Sequence, residues 1–384
     1  MIKKILSAAL IVCMIFSAAA NFTAFGAVSD NAAEHTPCYA LIEVSTGTVV
    51  FDRDCERRVH MGSFNKLMTV LLTAEAIDRG ELSFDTRLTC SEYANSMQGA
   101  QIWLDVGEKI TVEELLKAVI IGNANDAAAV LAEGVSGSED NFVKLMNSRA
   151  AEIGMTNTCF TNSNGYYDDN LQYTTAYDAA LLLCELAEYD FLTDIFTQRL
   201  DEVRVGKASL VTTNTLCHSY NGPVGFKCGS GPNSGCFAAE GALRDGLCFV
   251  AAVLDCEDED YALSLSKELL DSAFAGYTVT ELFIPDDMPD AIPLETGVSE
   301  QIRIAVENPG FALIKKSRSG DVTARIILPD YVYAPVEKGS VLGELRFMID
   351  DTVIKTCRIT AAEYAESKNV KNTLSEILKN MLKF

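Results

Sequence analysis

The sequence predicts an α+β domain followed by a small all-β domain and a C-terminal amphipathic helix. Three observations predict this. Strand signals lie at both ends of residues 27–284 and enclose a run of helical periodicity, so the sheet should join the two ends of that region. Helix signals vanish beyond Pro285, where prolines cluster at 285, 289 and 293 and short alternating runs follow. Residues 363–384 then return to helical spacing, with apolar and basic faces. The expected divisions are 1–26, 27–284, 285–362 and 363–384.

Each element has a local reason. Tyr39 to Asp52 alternates around Ser45-Thr46-Gly47-Thr48, a hairpin signal. A helix is expected from about Ser63 to Arg79. Thr111 should cap the next helix, through Ile121, with Glu114 completing a capping box. Further helices are expected over Asn125–Glu133, Asn141–Ile153 and Thr174–Leu186. Val224–Lys227, Cys236–Gly241 and Leu247–Leu254 read as strands, and Tyr261–Phe274 as a helix. Gln301–Asn308, Phe311–Lys316, Val322–Pro329, Val341–Ile349 and Val353–Ile359 read as the strands of the β domain. In the tail, Val370, Leu374, Ile377, Leu378, Met381 and Leu382 share one helical face, while Lys368, Lys371, Lys379 and Lys383 supply the other. That pattern predicts a helix lying in the plane of a membrane surface.

The N-terminus is expected to be processed. Lys3 and Lys4 precede an apolar run from Ile5 to Ala20, and Ala24-Phe25-Gly26 offers a small-residue cleavage site. This is a secretory signal peptide pattern. The mature protein would then be exported and act at the outer face of the cytoplasmic membrane, on the cell-wall side.

Composition bounds the chemistry. Of the 384 residues, 48% are hydrophobic and 22% charged, a globular balance. The formal charge is −23, which argues against nucleic acid as a partner. The three histidines, His35, His60 and His218, have no paired spacing, and the twelve cysteines include no C-x-x-C pair. No metal or cofactor is therefore expected. Eleven cysteines remain once Cys13 is removed with the signal segment. An odd, scattered set is not a disulfide framework, and such a set on an exported chain predicts free thiols in poorly oxidising surroundings.

The candidate chemistry begins at Ser63 and Lys66, one helical turn apart. A serine hydroxyl needs a neighbouring base to become a nucleophile, and a lysine serves if it is held neutral. Spacing alone does not single this pair out, because Ser264 and Lys267 repeat it. Distant stretches do. Gly122-Asn123-Ala124-Asn125-Asp126 follows an apolar helix, Asn162-Ser163-Asn164-Gly165 precedes Tyr173-Thr174-Thr175, and Gly225-Phe226-Lys227-Cys228-Gly229 lies on a strand.

In this order and spacing the chain resembles the penicillin-binding serine D-alanyl-D-alanine carboxypeptidases from about residue 36 to its end. The resemblance implies a β-lactamase/transpeptidase-like domain, an antiparallel sheet flanked by helices with a helical subdomain. It implies removal of the terminal D-Ala from peptidoglycan stem peptides through a Ser63 acyl-enzyme, and binding of β-lactam antibiotics. Lys66 would be the general base, Asn125 would hold the substrate peptide, and Lys227 would attract its carboxylate and help keep Lys66 neutral. Asn123, Cys228, Gly229 and Ser230 would bind substrate, with the Ser63 and Ser230 N–H groups as the oxyanion hole.

Three departures from the family pattern stand out. Position 123 is Asn where the family has Ser, so a hydroxyl able to relay a proton is replaced by an amide. Position 228 is Cys where the family has Thr, and a thiol is a weak donor to a carboxylate. The family's Arg on the helix after the last strand is missing, since no Arg lies between Arg244 and Arg303. At ~1.5–3 kcal/mol per lost charge-assisted contact, each would cost tenfold to hundredfold. The alternative these changes favour is a weakly active or inactive homologue that binds cell-wall peptide or a partner. A β-lactamase is a third reading, but the loop from Thr161 to Thr175 offers only Asp168 and Asp169 where that class needs a deacylating Glu.

Overall fold

The sheet that positions the site is built from both ends of the first domain. The computed structural model describes residues 35–166, 171–231, 234–318 and 320–368. Residues 1–26, expected to be a signal segment, and the tail from residue 369, expected to be helical, lie outside the described residues, as do Asp168 and Asp169. The first domain begins with β1 (Cys38–Glu43) and β2 (Thr48–Arg53). It continues through α1 (Asn65–Asp78), β3 (Arg87–Thr89), α2 (Glu92–Asn95), β4 (Lys109–Thr111), α3 (Val112–Ile120), α4 (Asn125–Ser136) and α5 (Glu139–Glu152). Next come α6 (Ala176–Leu186), α7 (Asp190–Phe196), the hairpin β5 (Leu200–Val203) and β6 (Ala208–Val211), and α8 (Leu216–Ser219). The domain closes with β7 (Pro223–Gly231), β8 (Ser234–Arg244), β9 (Leu247–Cys256) and α9 (Glu259–Gly276).

The five-stranded sheet runs β2-β1-β9-β8-β7, antiparallel throughout. The expected closure of both ends into one sheet is therefore present. β7 is an edge strand, a place where a peptide can be added. One face of the sheet packs on the helical core around Phe64, Leu67, Leu71 and Phe160. The other packs on α9 through Phe249, Leu270 and Phe274.

Helix boundaries follow local chemistry. Thr111 caps α3 with the full capping box to Glu114. Ser138 and Thr175 cap α5 and α6, so the first starts two residues earlier, and the second two later, than periodicity alone predicts. Ser63 lies not within α1 but in the 3₁₀ turn Gly62–Phe64 that precedes it. The β5–β6 and β3–β4 pairs and α7 carry too few residues to give a periodic signal.

The second region contains β10 (Tyr277–Glu281), β11 (Ala291–Glu295), β12 (Gln301–Val306), β13 (Phe311–Lys315), β14 (Val322–Ile327), β15 (Val332–Tyr333), β16 (Val341–Ile349) and β17 (Thr352–Ala361). Six of these form one sheet in the order β14-β16-β17-β12-β11-β15. β10 pairs with β13, and Tyr277, Val279 and Leu313 pack on the α9 side of the first domain's core. The β region thus begins at Tyr277 rather than at 285. It also runs past 362, because Ala365 bridges Val336 and Ser367 bridges Gly297. Residues 363–368, expected to open the terminal helix, are extended.

Candidate active site

α1 is buried on nearly every side, including its polar residues. Asn65, Lys66, Thr69 and Thr73 are each 0–1% exposed. Buried polar groups must find partners, and here the 162–165 segment supplies them. Asn65 Nδ2 donates to Asn162 O at 2.7 Å and to Gln172 Oε1 at 2.6 Å. Thr69 Oγ1 donates to Ser163 O at 2.6 Å. Lys66 Nζ donates to Asn164 O at 2.6 Å. Gly165, at φ +75°, makes this approach possible, since a Cβ there would stand 1.8 Å from Gly62 O.

Burial pushes the Lys66 ammonium well below its ordinary value, and the charge of Lys227 pushes it further down. Lys227, 5% exposed on β7, is itself lowered by burial to about 8. Lys227 feels the charge of Glu259, whereas the one charge among the described residues that shifts Lys66 is that of Lys227 itself. Burial and that charge both favour the neutral form of the Lys66 amine that lies beside Ser63. Ser63 is 5% exposed, and its Oγ makes no hydrogen bond to the described residues.

β7 closes the site from the other side. A Cβ at Gly229 would stand 2.7 Å from Ser63 Oγ, so only glycine lets the strand come this close. The β7–β8 register slips between Gly229 and Gly231, leaving Ser230 opposite no residue. Ser230 at this irregularity lines the same cavity as Ser63.

A cavity of about 260 Å³ lies between these elements, bounded by Ser63, Lys66, Asn125, Asn164, Ser230 and Gly231. Ala100, Asn123 and Tyr166 complete its wall. Asn125 is fixed by two loop carbonyls: its N–H donates to Ala100 O at 2.7 Å and its Nδ2 to Gln98 O at 2.5 Å. Asn123 sits at φ +57°, and its Oδ1 is a buried acceptor without a donor. Among the described residues no three His, Cys, Asp or Glu side chains converge as metal ligands.

Of the eight residues singled out by sequence, five line the cavity: Ser63, Lys66, Asn123, Asn125 and Ser230. Lys227 and Gly229 act on it from β7. Cys228 is different. Its side chain turns to the α9 face of the sheet, where Sγ lies 3.3 Å from Thr213 Oγ1 and 3.6 Å from Glu259 Oε2. Burial pushes this thiol up to about 12, which makes it inert. Asn164 and Tyr166 were not read as site residues. Asn164 acts through its backbone carbonyl, which no side-chain motif reveals, whereas Tyr166 follows the Asn-Gly turn and could have been found there.

The Peptidase_S11 family model, D-alanyl-D-alanine carboxypeptidase, matches residues 26–258, and the model of the penicillin-binding protein 5 C-terminal domain matches residues 277–367. D-alanyl-D-alanine carboxypeptidase DacF of Bacillus subtilis (strain 168) is 32% identical, with 100% of each chain covered. DacC of Escherichia coli (strain K12) is 25% identical, covering 85% of this chain and 84% of its own. Penicillin binding protein 5 from Haemophilus influenzae superposes with a TM-score of 0.76 at 23% identity, covering 86% of this chain and 97% of the other. Penicillin-binding protein D2 from Listeria monocytogenes, in its ampicillin-bound form, gives 0.56 at 26% identity, covering 62% and 96%.

Proposed function

The chain belongs to the D-alanyl-D-alanine carboxypeptidase family and is a serine-type carboxypeptidase of the low-molecular-mass penicillin-binding class; from that premise we propose that Ser63 is its acylating nucleophile and Lys66 the general base. One observation carries the assignment: among the described residues the buried Lys66 Nζ donates to a backbone carbonyl, and the charge of a second buried lysine acts on it. The weakly active or inactive homologue is not favoured, since its full-length relatives are carboxypeptidases.

In the proposed reaction a peptidoglycan stem peptide lies along the free edge of β7 with its terminal carboxylate toward Lys227. Neutral Lys66 takes the proton from Ser63 Oγ as the oxygen bonds to the carbonyl carbon of the penultimate D-Ala. The Ser63 and Ser230 N–H groups hold the developing oxyanion, a role typically worth about 3 kcal/mol. The peptide bond breaks as the departing D-Ala amine takes that proton from Lys66; water then attacks the ester, giving a proton to the neutral Lys66, which returns it to Ser63 Oγ as the carboxylic acid leaves. Asn125 holds the peptide backbone. Asn123 contributes an acceptor for a substrate N–H rather than a proton relay. Cys228 contributes through its backbone, and Gly229 through the room it leaves. β-Lactams acylate the same oxygen.

D-Ala release from a pentapeptide tests this, together with covalent labelling by a fluorescent penicillin. Both are expected to vanish in Ser63→Ala while the fold stays intact. Labelling that persists would move the nucleophile elsewhere. The N-terminal segment is proposed to export the chain, and the basic tail beyond residue 368 to hold it on anionic membrane surfaces. Co-flotation with anionic vesicles, lost on removing residues 369–384, is the expected result for the tail.

A further inference from the structure

We propose that Trp103 is a binding platform for the sugar ring that carries the stem peptide, so that this enzyme prefers glycan-linked over free peptide. The inference rests on the carboxypeptidase reading of the same site. Trp103 is the single tryptophan of the sequence, it is 71% exposed, and its backbone sits at φ +53°. A bulky residue avoids that conformation, and such strain persists only where the surroundings impose it.

The surroundings do so with four hydrogen bonds from two ionic side chains. Arg204 Nη1 donates to Ile102 O at 2.7 Å and to Trp103 O at 2.6 Å. The fully buried carboxylate of Asp126 accepts from Ile102 N–H at 3.2 Å and Leu104 N–H at 3.1 Å. Arg204 is locked in turn by Glu108, at 2.8 Å and 2.5 Å. The fold thus fixes the backbone under an indole it does not bury. Packing gains little from that ring, so the rigidity serves something outside.

Position identifies the occupant. Ala100 lines the cavity, and Trp103 follows three residues later, so their Cα atoms are at most about 11 Å apart. A stem pentapeptide spans at most about 17 Å from scissile end to glycan end. With its C-terminus at Ser63, its first sugar falls within reach of the rim that holds Trp103. A pyranose offers a flat C–H face to the indole and hydroxyls around it. Asp105, two residues on with its side chain 84% exposed, accepts from Arg204 Nη2 at 3.3 Å through one oxygen, which leaves the other to accept from those hydroxyls. A neutral sugar also escapes repulsion from a chain of charge −23.

The lone tryptophan makes binding directly visible. Titration of the full protein with the peptidoglycan disaccharide whose lactyl carboxylate is capped as a simple amide, neutral as it is when a peptide is attached, is expected to change Trp103 fluorescence saturably; no change would overturn the proposal. In D-Ala release, the wild type is expected to show about a tenfold lower KM for disaccharide-pentapeptide than for bare pentapeptide, a typical span for one aromatic anchor. Trp103→Ala should erase that difference with kcat and the bare-peptide KM unchanged. Equal loss on both substrates would mean the ring reads peptide, and a dimer lost in Trp103→Ala would mean it meets a second copy; either overturns the sugar assignment. Trp103→Gly relieves the backbone strain, so its Tm should not fall while its sugar preference disappears. If neither substrate releases D-Ala, the carboxypeptidase reading fails, and the disaccharide titration still decides this one.

Discussion

Two Ser-x-x-Lys pairs in this molecule share a spacing and nothing else. Ser63 and Lys66 are buried beneath β7, and Lys66 bonds a carbonyl while facing a second lysine. Ser264 and Lys267 lie on the outer face of α9, where Lys267 is 54% exposed and pairs with Asp271 at 2.6 Å. Helical geometry brings hydroxyl and amine together in both. In the proposed mechanism only the buried amine, lowered by desolvation and by the charge of Lys227, serves as a base. The other is a solvated cation, worth a few tenths of a kcal/mol to its helix.

The largest expected contrast is in acylation. Ser63→Ala should abolish labelling by a fluorescent penicillin, and Ser264→Ala should leave its rate unchanged; a loss in the second would erase the distinction. Next comes pH. Lys66 must be neutral, and Lys227 helps to keep it so. Removing that positive neighbour in Lys227→Gln should raise the Lys66 pKa and move the acid limb of the penicillin acylation profile to higher pH. In the wild type an alkaline limb is expected near pH 8, where Lys227 loses its charge. A profile flat from pH 6 to 10 would refute both assignments.

Stability should separate the buried Lys227 from the exposed Lys267 by magnitude. Lys227 falls from 10.5 to about 8 on folding, about 3 kcal/mol of penalty on its charged form. The unfolded chain therefore binds more protons between those values, and stability should rise with pH across that window. Lys227→Met should stabilise the protein at pH 7, by about 3 kcal/mol at most. Lys267→Met should change stability by less than about 0.5 kcal/mol. Urea unfolding of both variants measures the difference, and destabilisation by Lys227→Met would contradict it.

The smallest effect is expected at Cys228→Thr. From sequence, a hydroxyl there should restore a contact to the substrate carboxylate and raise activity. In the fold the side chain meets Thr213 and Glu259 instead. D-Ala release should then change less than about twofold, and a large gain would show that position 228 reaches substrate.

These cases mark how far the sequence could be read. Thr111 and Glu114 announced a helix start because a cap is a local bargain between neighbours. The strands β7 to β9 were legible as alternating apolar runs. Ser63, Lys66 and Lys227 were legible as an ordered set. The Asn164 carbonyl that holds Lys66 lies 98 residues away and belongs to the backbone, so no side chain announces it. The direction of Cys228 depends on register, which is fixed only when the sheet assembles. Trp103 gave no periodic signal, since its backbone is held by Arg204 in the β5–β6 turn and Asp126 in α4, both distant in sequence.

The order of the central sheet has a kinetic consequence. β1 pairs with β9, and Cys38 faces Leu254. The sheet therefore cannot close until the last strand has been made, long after α1 and its neighbours could begin to form. Contacts this distant in sequence slow folding. Helices that later lie against the sheet must wait with apolar faces uncovered, a state that invites aggregation or chaperone capture.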